Sequence, residues 1–463
     1  MSMTAIVLAA GEGTRMKSDH PKVAHKLLDR PLVWWAVNSV REAGAERVVV
    51  VVGHGADEVR ACVADIPGVE CVTQTEQLGT GHACRCAIEQ ASITEGTVLL
   101  TYGDTPLVRS QTIAQLAARV ADGTDACAVL TMTPPDCTGY GRVITGEGGE
   151  VLAIIEHKDC TPDQRLALTE CNSGVYAFDG AALASNISKL TNNNAQGEYY
   201  LTDMVQILRE AGHAVSAVHC DDFSELLGVN SRSQLAEATR LMQARINENL
   251  MDAGVSMLDP ALVWVGPNVT VGRDTVLLPM TMLWGSTSIG EKCTVGPNTR
   301  LTNTQVGCGC TVDETVAIDA QIDDEATCGP RAYLRPGAHL MRKAKAGTHV
   351  EIKNSTIGEG SKVPHLSYIG DTQMGSGVNI GAGSITCNYD GYHKHPTTIG
   401  NGVFVGSDTM MVAPVNIGDG ALIGAGSTIT KDVPADALGL ERSEQRNVKG
   451  YAQERRKRME GDK

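Results

Sequence analysis

Aliphatic side chains recur at every sixth position in two stretches of the C-terminal half of the chain. A period of six fits neither an α-helix nor an alternating strand, and it is the signature of a parallel β-helix in which each repeat is one short strand and one turn. Glycine follows most of these aliphatic residues, where it permits a tight corner. The two series are Val265, Val271, Leu277, Leu283, Ile289, Val295 and Leu301, then Ile399, Val405, Met411, Ile417, Ile423 and Ile429.

The phase of this repeat is lost between about residues 302 and 398, which predicts loops inserted between the coils. Loops on a repeat scaffold often carry binding functions. The alternative function for such a repeat is a passive trimerisation stalk. The region argues against a stalk, because it is rich in polar side chains that a stalk does not need. These side chains are Arg335, Lys353, His365, Tyr368, Asn379, Asn388 and Tyr389.

The N-terminal half alternates apolar runs of strand length with helical stretches. Residues 48–52 and 97–101 are continuous apolar runs, typical of strands buried on both faces of a mostly parallel sheet. Residues 32–43 and 111–120 are helix candidates. The alternation predicts a doubly wound α/β domain, in which ligands bind beyond the carboxyl ends of the strands.

A glycine loop follows the first of these strands. The segment LAAGEGTRMKSDHPK, residues 8–22, holds Gly11 and Gly13 ahead of Arg15 and Lys22. It lacks the third glycine of a dinucleotide fingerprint, because Met16 stands there, and it lacks the Gly-Lys-Ser/Thr of a Walker loop. The loop alone therefore does not identify its phosphate ligand.

The composition narrows the ligands and the compartment. The formal net charge of −15 argues against nucleic acid as the main partner, so anionic ligands need local basic pockets. None of the fourteen cysteines has the C-x-x-C spacing of a zinc site, and we expect free thiols in a reducing cytoplasm. We see no signal peptide and no run of about 18 apolar residues that could span a membrane.

Residues 1–230 therefore form the predicted α/β domain, residues 231–252 one linking helix without glycine or proline, and residues 253–463 the β-helix with a C-terminal tail.

Longer motifs occur along nearly the whole chain. They include QTEQLGTGHA at 74–83, YGDTPL at 102–107, LTNNNAQGEYYLTD at 190–203, VEIKNSTIG at 350–358, HLSYIGD at 365–371 and CNYDG at 387–391. Together with the opening loop, they resemble the bacterial bifunctional N-acetylglucosamine-1-phosphate uridyltransferase/glucosamine-1-phosphate acetyltransferase family. The resemblance implies a Rossmann-like nucleotidyltransferase domain and a left-handed β-helix of hexapeptide repeats that forms a homotrimer.

The family activity implied is the synthesis of UDP-N-acetylglucosamine for peptidoglycan, lipopolysaccharide or other cell-wall precursors. Acetyl-CoA acetylates glucosamine 1-phosphate, and UMP then passes from UTP to N-acetylglucosamine 1-phosphate with release of pyrophosphate. Both reactions use small-molecule substrates, and the second uses Mg²⁺.

In the first domain, the resemblance implies that Arg15 faces the β- and γ-phosphates, that Lys22 faces the α-phosphate, and that Asp104 and Asn230 bind Mg²⁺. Gln74, Gly79 and Thr80 would select uracil. The full implied set for UTP and UDP-N-acetylglucosamine is Leu8, Ala9, Ala10, Gly11, Lys22, Gln74, Gly79, Thr80, Tyr102, Gly103, Asp104, Gly141, Glu156, Asn172 and Asn230.

In the second domain, the resemblance implies that His365 takes the proton of the attacking ammonium, since imidazole exchanges protons near neutral pH. The residues implied for glucosamine 1-phosphate are Arg335, Lys353, Tyr368 and Asn379. The residues implied for acetyl-CoA are Ala382, Asn388, Tyr389, Ser407, Ala425 and Arg442.

Two other protein classes share this two-domain arrangement. One is a single-activity sugar-1-phosphate nucleotidyltransferase with a regulatory β-helix, which the matched acetyltransferase residues disfavour. The other is a non-enzymatic exchange-factor subunit of eukaryotic translation initiation. The joint presence of Arg15, Lys22, Asp104 and Asn230 disfavours that class.

Overall fold

The computed structural model describes residues 2–461, and its contacts divide the chain into a compact unit that ends at Met242 and another that begins at Gln243. The division falls inside the helix Arg232–Asp252, in the segment where the sequence predicts one helix. In the described part of the chain, no helix is both long and apolar enough to cross a membrane.

The first unit is built on one mixed sheet. Its strands, with the short hairpin β2–β3, are β1 Met3–Ala9, β2 Lys26–Leu27, β3 Arg30–Pro31, β4 Arg47–Val52, β5 Val69–Thr73, β6 Thr97–Tyr102, β7 Cys127–Met132, β8 Arg142–Thr145, β9 Val151–Ile155, β10 Cys171–Asp179 and β11 Val215–His219. The strand order is β11-β7-β10-β6-β1-β4-β5, with β8 and β9 beside β10. Strand β10 runs antiparallel to β6 and β7, whereas β1, β4, β5 and β6 are mutually parallel.

Helices cover both faces of this sheet. The helices of this unit are α1 Leu32–Glu42, α2 Ala56–Val63, α3 Thr80–Gln90, α4 Ser110–Ala121, α5 Pro162–Ala167, α6 Gly180–Asn186 and α7 Asp203–Glu210, with 3-10 turns at Thr14–Met16, Lys22–Ala24, Ile187–Lys189 and Phe223–Leu226. The next helix, α8 Arg232–Asp252, crosses the division between the two units. Successive residues of β1 enter different cores, Ile6 and Leu8 on one face and Ala5 and Val7 on the other. This two-sided burial explains why β1, β4 and β6 consist mostly of apolar residues.

The second unit is a parallel β-helix of three sheets. The first sheet contains Ser256–Met257, Val276–Leu277, Thr294–Val295, Thr311–Val312, Thr327–Cys328, Lys345–Thr348, Lys362–His365, Asn379–Ile380, Phe404–Val405, Leu422–Ile423 and Leu438–Gly439. The second contains Val263–Val265, Thr281–Trp284, Arg300–Thr302, Val316–Ile318, Tyr333–Leu334, Glu351–Lys353, Tyr368–Gly370, Ile385–Cys387, Met410–Val412 and Thr428–Ile429. The third contains Thr270–Val271, Ser288–Ile289, Gln305–Val306, Gln321–Ile322, Ala338–Leu340, Ser355–Ile357, Thr372–Met374, Thr397–Ile399 and Val415–Ile417. A 3-10 turn, Pro260–Leu262, lies between the strands Ser256–Met257 and Val263–Val265, and α9, Tyr451–Gly461, lies beyond the coils.

The fold class is therefore confirmed in both parts: an α/β domain built on a sheet with helices on both faces, and a β-helix of short parallel strands. The aliphatic residues at six-residue spacing form the inner column of the coils. Leu277, Leu283, Val295 and Leu301 are fully buried there. Val271 is half-buried and packs against the same core.

The prediction of inserted loops throughout residues 302–398 is wrong for most of that region, because the coils continue through it. The six-residue phase is lost because some sides of the coil are one residue shorter. Asn303, Asp319, Asn354 and Asp371 turn such corners between the second and third sheets, with φ between 45° and 50°. Asparagine and aspartate adopt this left-handed conformation more readily than other non-glycine residues.

One true insertion interrupts the repeat in this region, at residues 388–396 between the strands Ile385–Cys387 and Thr397–Ile399. Of the polar residues assigned to inserted loops, Asn388 and Tyr389 belong to this insertion. The other five, Arg335, Lys353, His365, Tyr368 and Asn379, lie on the coils themselves.

Candidate active sites

A cavity of about 240 Å³ opens at the carboxyl ends of β1 and β6 in the first unit. Ten of the residues predicted for UTP line it: Leu8, Ala9, Ala10, Gly11, Lys22, Gln74, Gly79, Thr80, Tyr102 and Asp104. Four further lining residues, which the sequence reasoning did not single out, are Val23, Gln77, Ala83 and Glu198. Gln77 and Glu198 stand inside motifs that the sequence displays, so the motifs held a signal that could have found them.

Lys22 lies between the two residues predicted to bind Mg²⁺. Its Nζ donates hydrogen bonds to the carboxylate of Asp104 and to Oδ1 of Asn230, the latter at 2.9 Å. The Lys22 and Asp104 side chains are each 15% exposed. The backbone fixes the two partners together, because Val229 N donates to Asp104 O at 2.8 Å. One cation is thus held by two hard oxygen atoms at the edge of the cavity.

The same oxygen atoms suit a divalent ion. Mg²⁺ prefers oxygen ligands, takes few of them from protein, and completes its shell with water and substrate phosphate. A carboxylate and an amide oxygen that already converge on one ammonium fit that donor set. Within residues 2–461, no cluster of three or more histidine, cysteine, aspartate or glutamate side chains offers an alternative metal site.

Gly13 shapes the loop that carries Lys22. Its φ of 67° is left-handed, and a Cβ on this residue would lie 2.4 Å from Lys22 Cβ. Gly103 similarly lies against β1, donating its N–H to Leu8 O at 2.9 Å. Arg15, by contrast, is exposed on the turn Thr14–Met16, and it is not part of the cavity lining among the described residues. Its role toward the phosphates stays a prediction.

Gly141, Glu156 and Asn172, predicted to hold the sugar, form a second group in this unit. Asn172 N donates to Gly141 O at 2.9 Å, and Thr202 Oγ1 donates to Glu156 Oε1 at 3.1 Å. Burial raises the pKa of Glu156. Burial also raises the pKa of Tyr102, and the carboxylates of Glu156 and Asp104 raise it further, so this ring lies near both groups.

In the second unit, four predicted residues meet on the outer face of the second β-helix sheet. The strands that carry Glu351, Lys353 and Tyr368 are neighbours in register. Arg335 donates to Glu351 Oε1 at 2.8 Å, and Asn388 Nδ2 lies 3.4 Å from the Tyr368 hydroxyl. Arg335, Lys353, Tyr368 and Asn388 thus form one polar surface.

Asp371 and Lys394 belong to this surface and were missed by the sequence reasoning. Asp371 accepts a hydrogen bond from Asn388 Nδ2 at 2.5 Å, and its other oxygen lies 3.9 Å from Lys353 Nζ. The neighbouring Lys394 side chain lowers the pKa of Lys353, and burial and Arg335 lower it further. The three cations Arg335, Lys353 and Lys394 outnumber the two carboxylates of Glu351 and Asp371 by one, and the remaining positive charge suits a phosphate group.

His365 ends the strand Lys362–His365 at the next corner of the coil. Its side chain is exposed, and its ring has no hydrogen-bond partner among the described residues. Leu366, with a φ of 45°, turns the chain between His365 and Tyr368. His365 and the polar surface around Tyr368 therefore flank one corner of the coil.

Of the residues predicted for acetyl-CoA, Ala382, Ser407 and Ala425 follow His365 along the same corner of successive coils. The register that pairs Lys362 with Asn379 places Ala382 beside His365. Backbone hydrogen bonds continue the row, from Asp408 N to Ala382 O at 2.7 Å and from Gly426 N to Ser407 O at 2.8 Å. Arg442 reaches the row as well, because its Nη1 donates to Ala425 O at 3.0 Å. Tyr389, in the insertion at 388–396, is exposed.

Known proteins match both halves of the chain. The family described as "MobA-like NTP transferase domain" matches residues 5–173, and the family described as "Bacterial transferase hexapeptide (six repeats)" matches residues 396–431. The bifunctional protein GlmU of Streptomyces avermitilis is 51% identical over 455 residues, covering 97% of this chain and 94% of the relative. The bifunctional protein GlmU of Corynebacterium aurimucosum is 48% identical and covers 98% of this chain and 94% of the relative. That of Heliobacterium modesticaldum is 47% identical and covers 95% of each chain.

Proposed function

This chain belongs to the family of bifunctional GlmU proteins, and we propose that it makes UDP-N-acetylglucosamine in two steps at two separate sites. Acetyl-CoA first acetylates glucosamine 1-phosphate on the β-helix. UTP then donates UMP to N-acetylglucosamine 1-phosphate in the α/β unit, with release of pyrophosphate. The observation that carries the proposal is the pair of cationic sites, one around Lys22 and one around Lys353.

Uridylyl transfer needs alignment and charge neutralisation more than acid–base chemistry. The sugar phosphate is already an anionic nucleophile, so no base has to activate it. We assign to Lys22 the neutralisation of the α-phosphate, and to Gly11 and Gly13 the close approach of the backbone. Asp104 and Asn230 would hold Mg²⁺, which supplies further neutralisation of phosphate charge when bound.

Acetyl transfer needs a base, because an ammonium has no lone pair with which to attack a thioester. We assign this role to His365. Its exposed ring lies at the corner of the coil, between the residues assigned to acetyl-CoA and the polar surface around Tyr368. Arg335, Lys353 and Lys394 would bind the phosphate, and Tyr368 and Asn379 would orient the sugar. We assign Asn388 to the sugar as well, and no longer to acetyl-CoA, because its Nδ2 lies 3.4 Å from the Tyr368 hydroxyl. The reaction forms the amide bond, breaks the thioester bond and releases CoA as its thiol.

We further propose a cytoplasmic homotrimer that associates through the β-helix. Supporting this, the fourteen cysteines are free thiols, as expected in a reducing compartment. The hexapeptide β-helix is the part of the chain that the family resemblance links to trimer formation.

The direct test supplies the purified chain with glucosamine 1-phosphate, acetyl-CoA, UTP and Mg²⁺, and follows CoA thiol and pyrophosphate separately. We expect both products, with pyrophosphate release dependent on acetyl-CoA. Pyrophosphate release from N-acetylglucosamine 1-phosphate without any CoA release in the full mixture would instead support a single-activity nucleotidyltransferase.

Lys394→Ala is expected to raise KM for glucosamine 1-phosphate about tenfold with little change in kcat, because one charge-assisted contact to the phosphate is lost while the reacting groups stay in place. Steady-state CoA release measures this. Arg273→Ala, which removes an exposed cation paired with Glu291, is the matched control and should leave KM unchanged. An unchanged KM in Lys394→Ala would remove this lysine from the phosphate site.

Lowering the pH should weaken the binding of N-acetylglucosamine 1-phosphate through Glu156. Burial raises the pKa of this carboxyl, so it is protonated at a higher pH than an ordinary glutamate and loses an acceptor for a sugar hydroxyl. We expect KM to rise about threefold to tenfold as the pH falls from about 7 to about 5.

Glu156→Gln controls for titration of the substrate phosphate, because it removes only the carboxyl. Its KM should already be high at neutral pH and should change less as the pH falls. The same pH profile in both proteins would show that Glu156 does not titrate against the sugar.

A further inference from the structure

The amide group of Gln74 is held in one orientation. Gln74 follows β5, and its backbone N donates to Val52 O at 2.8 Å. Its Nε2 donates to Gly79 O at 3.1 Å and lies 3.0 Å from Nδ1 of His82. Because a carbonyl oxygen can only accept, the amino end of the amide must face Gly79. Both hydrogens of that amino group are therefore committed to acceptors of the protein.

Gly79 cannot move away from this contact without disturbing its neighbours. Its φ is 108°, and a Cβ on this residue would lie 2.7 Å from Tyr199 O. Its carbonyl is therefore presented to Gln74 by a backbone that is itself tightly packed. The second acceptor, His82, lies on the first turn of α3, which begins at Thr80.

His82 accepts at Nδ1, so its proton is on Nε2. That nitrogen lies 3.7 Å from Cys86 Sγ, one turn further along α3. The ring thus has a partner on each side, and its acceptor is aimed at Gln74.

The consequence for the cavity is that Gln74 presents its carbonyl. Its side chain lines the cavity and is only 4% exposed, and no donor to its Oε1 occurs among residues 2–461. Oε1 is therefore the atom of this amide that remains for a ligand, and it requires a hydrogen-bond donor. Uracil has such a donor at N3–H, whereas N3 of cytosine is an acceptor.

We propose that His82 is a positioning residue that sets the pyrimidine specificity of the uridylyl-transfer site, by preventing rotation of the Gln74 amide. This rests on the proposed function of that site. To pair with N3 of cytosine, the amide would have to rotate by half a turn, which places its oxygen against both Gly79 O and His82 Nδ1. The amide would lose two hydrogen bonds, and its oxygen would face two other acceptor atoms, Gly79 O and His82 Nδ1, which is unfavourable.

The test compares UTP with CTP in His82→Leu, His82→Asn and the unchanged chain, through kcat/KM for pyrophosphate release. His82→Leu removes one of the two acceptors, so rotation costs less, and we expect the preference for UTP over CTP to fall about tenfold. His82→Asn places an amide oxygen near the position of Nδ1 and should restore most of the preference. Cys86→Ala, which removes the partner of the other ring nitrogen, should leave it within about twofold of the unchanged chain.

A structural role alone would lower kcat/KM for both nucleotides equally, so an unchanged UTP/CTP ratio in His82→Leu overturns the proposal. The thermal unfolding midpoint of each variant, together with its remaining pyrophosphate release from UTP, shows that the α/β unit carrying His82 is folded. Failure of the proposed function would appear differently, as absence of pyrophosphate release from the unchanged chain.

Discussion

Asp104→Ala should abolish uridylyl transfer, lowering kcat/KM for pyrophosphate release at least ~10²-fold, while acetyl transfer continues. The carboxylate of Asp104 holds the Lys22 ammonium and is the charged member of the oxygen pair assigned to Mg²⁺. Without it, Lys22 loses its anionic partner and the site loses the only carboxylate of that pair. Pyrophosphate release from UTP and N-acetylglucosamine 1-phosphate measures the loss.

An aspartate outside the cavity serves as the matched control. Asp122 lies at the end of α4 and hydrogen-bonds to Thr124, and Asp122→Ala should keep both activities. Asp104→Asn adds a second comparison, because it retains the shape of the side chain and removes its charge. Full uridylyl transfer in Asp104→Ala would show that the cationic site around Lys22 is not where the phosphates react.

His365→Ala should abolish acetyl transfer, with a loss of about 10²- to 10⁴-fold in kcat for CoA release, because the attacking amine then has no base. Uridylyl transfer from N-acetylglucosamine 1-phosphate should be unchanged. His365→Asn should fail as well, since an amide retains hydrogen bonding and does not take a proton at neutral pH.

His339 provides the comparison for that experiment. It lies on the third β-helix sheet, where its Nε2 is 2.9 Å from Asp323 Oδ2. His339→Ala removes an imidazole from the same scaffold, and we expect acetyl transfer to persist. Wild-type CoA release by His365→Asn would show that this position orients substrate and that the base lies elsewhere.

The β-helix was predictable where the inner column keeps strict six-residue spacing, because each inward position must be aliphatic and each corner favours glycine. The middle coils were not predictable, because some of their inward-facing residues are five positions apart and the six-residue period is lost. The shorter corners are turned by Asn303, Asp319, Asn354 and Asp371. Residues that the sequence placed on loops, such as Tyr368, therefore lie on regular strands.

The uridylyl-transfer cavity was predictable in part for a different reason. Residues 8–11 lie at or just beyond the end of β1, and Asp104 follows β6. The carboxyl ends of such parallel strands meet at one edge of a sheet. Lys394 reaches its site from the insertion at 388–396, so its place depends on tertiary packing that no local pattern records. Arg15 shows the opposite case: the loop motif assigns it to the phosphates, and its side chain is exposed outside the cavity lining of the described residues.

The independence of the two sites can be measured with Asp104→Ala and His365→Ala in one mixture of glucosamine 1-phosphate, acetyl-CoA, UTP and Mg²⁺. Asp104→Ala should release CoA without pyrophosphate, and His365→Ala should release neither product until N-acetylglucosamine 1-phosphate is added, when pyrophosphate appears. Combining the two variants should restore both products. Loss of both activities from either folded variant would contradict two separate sites.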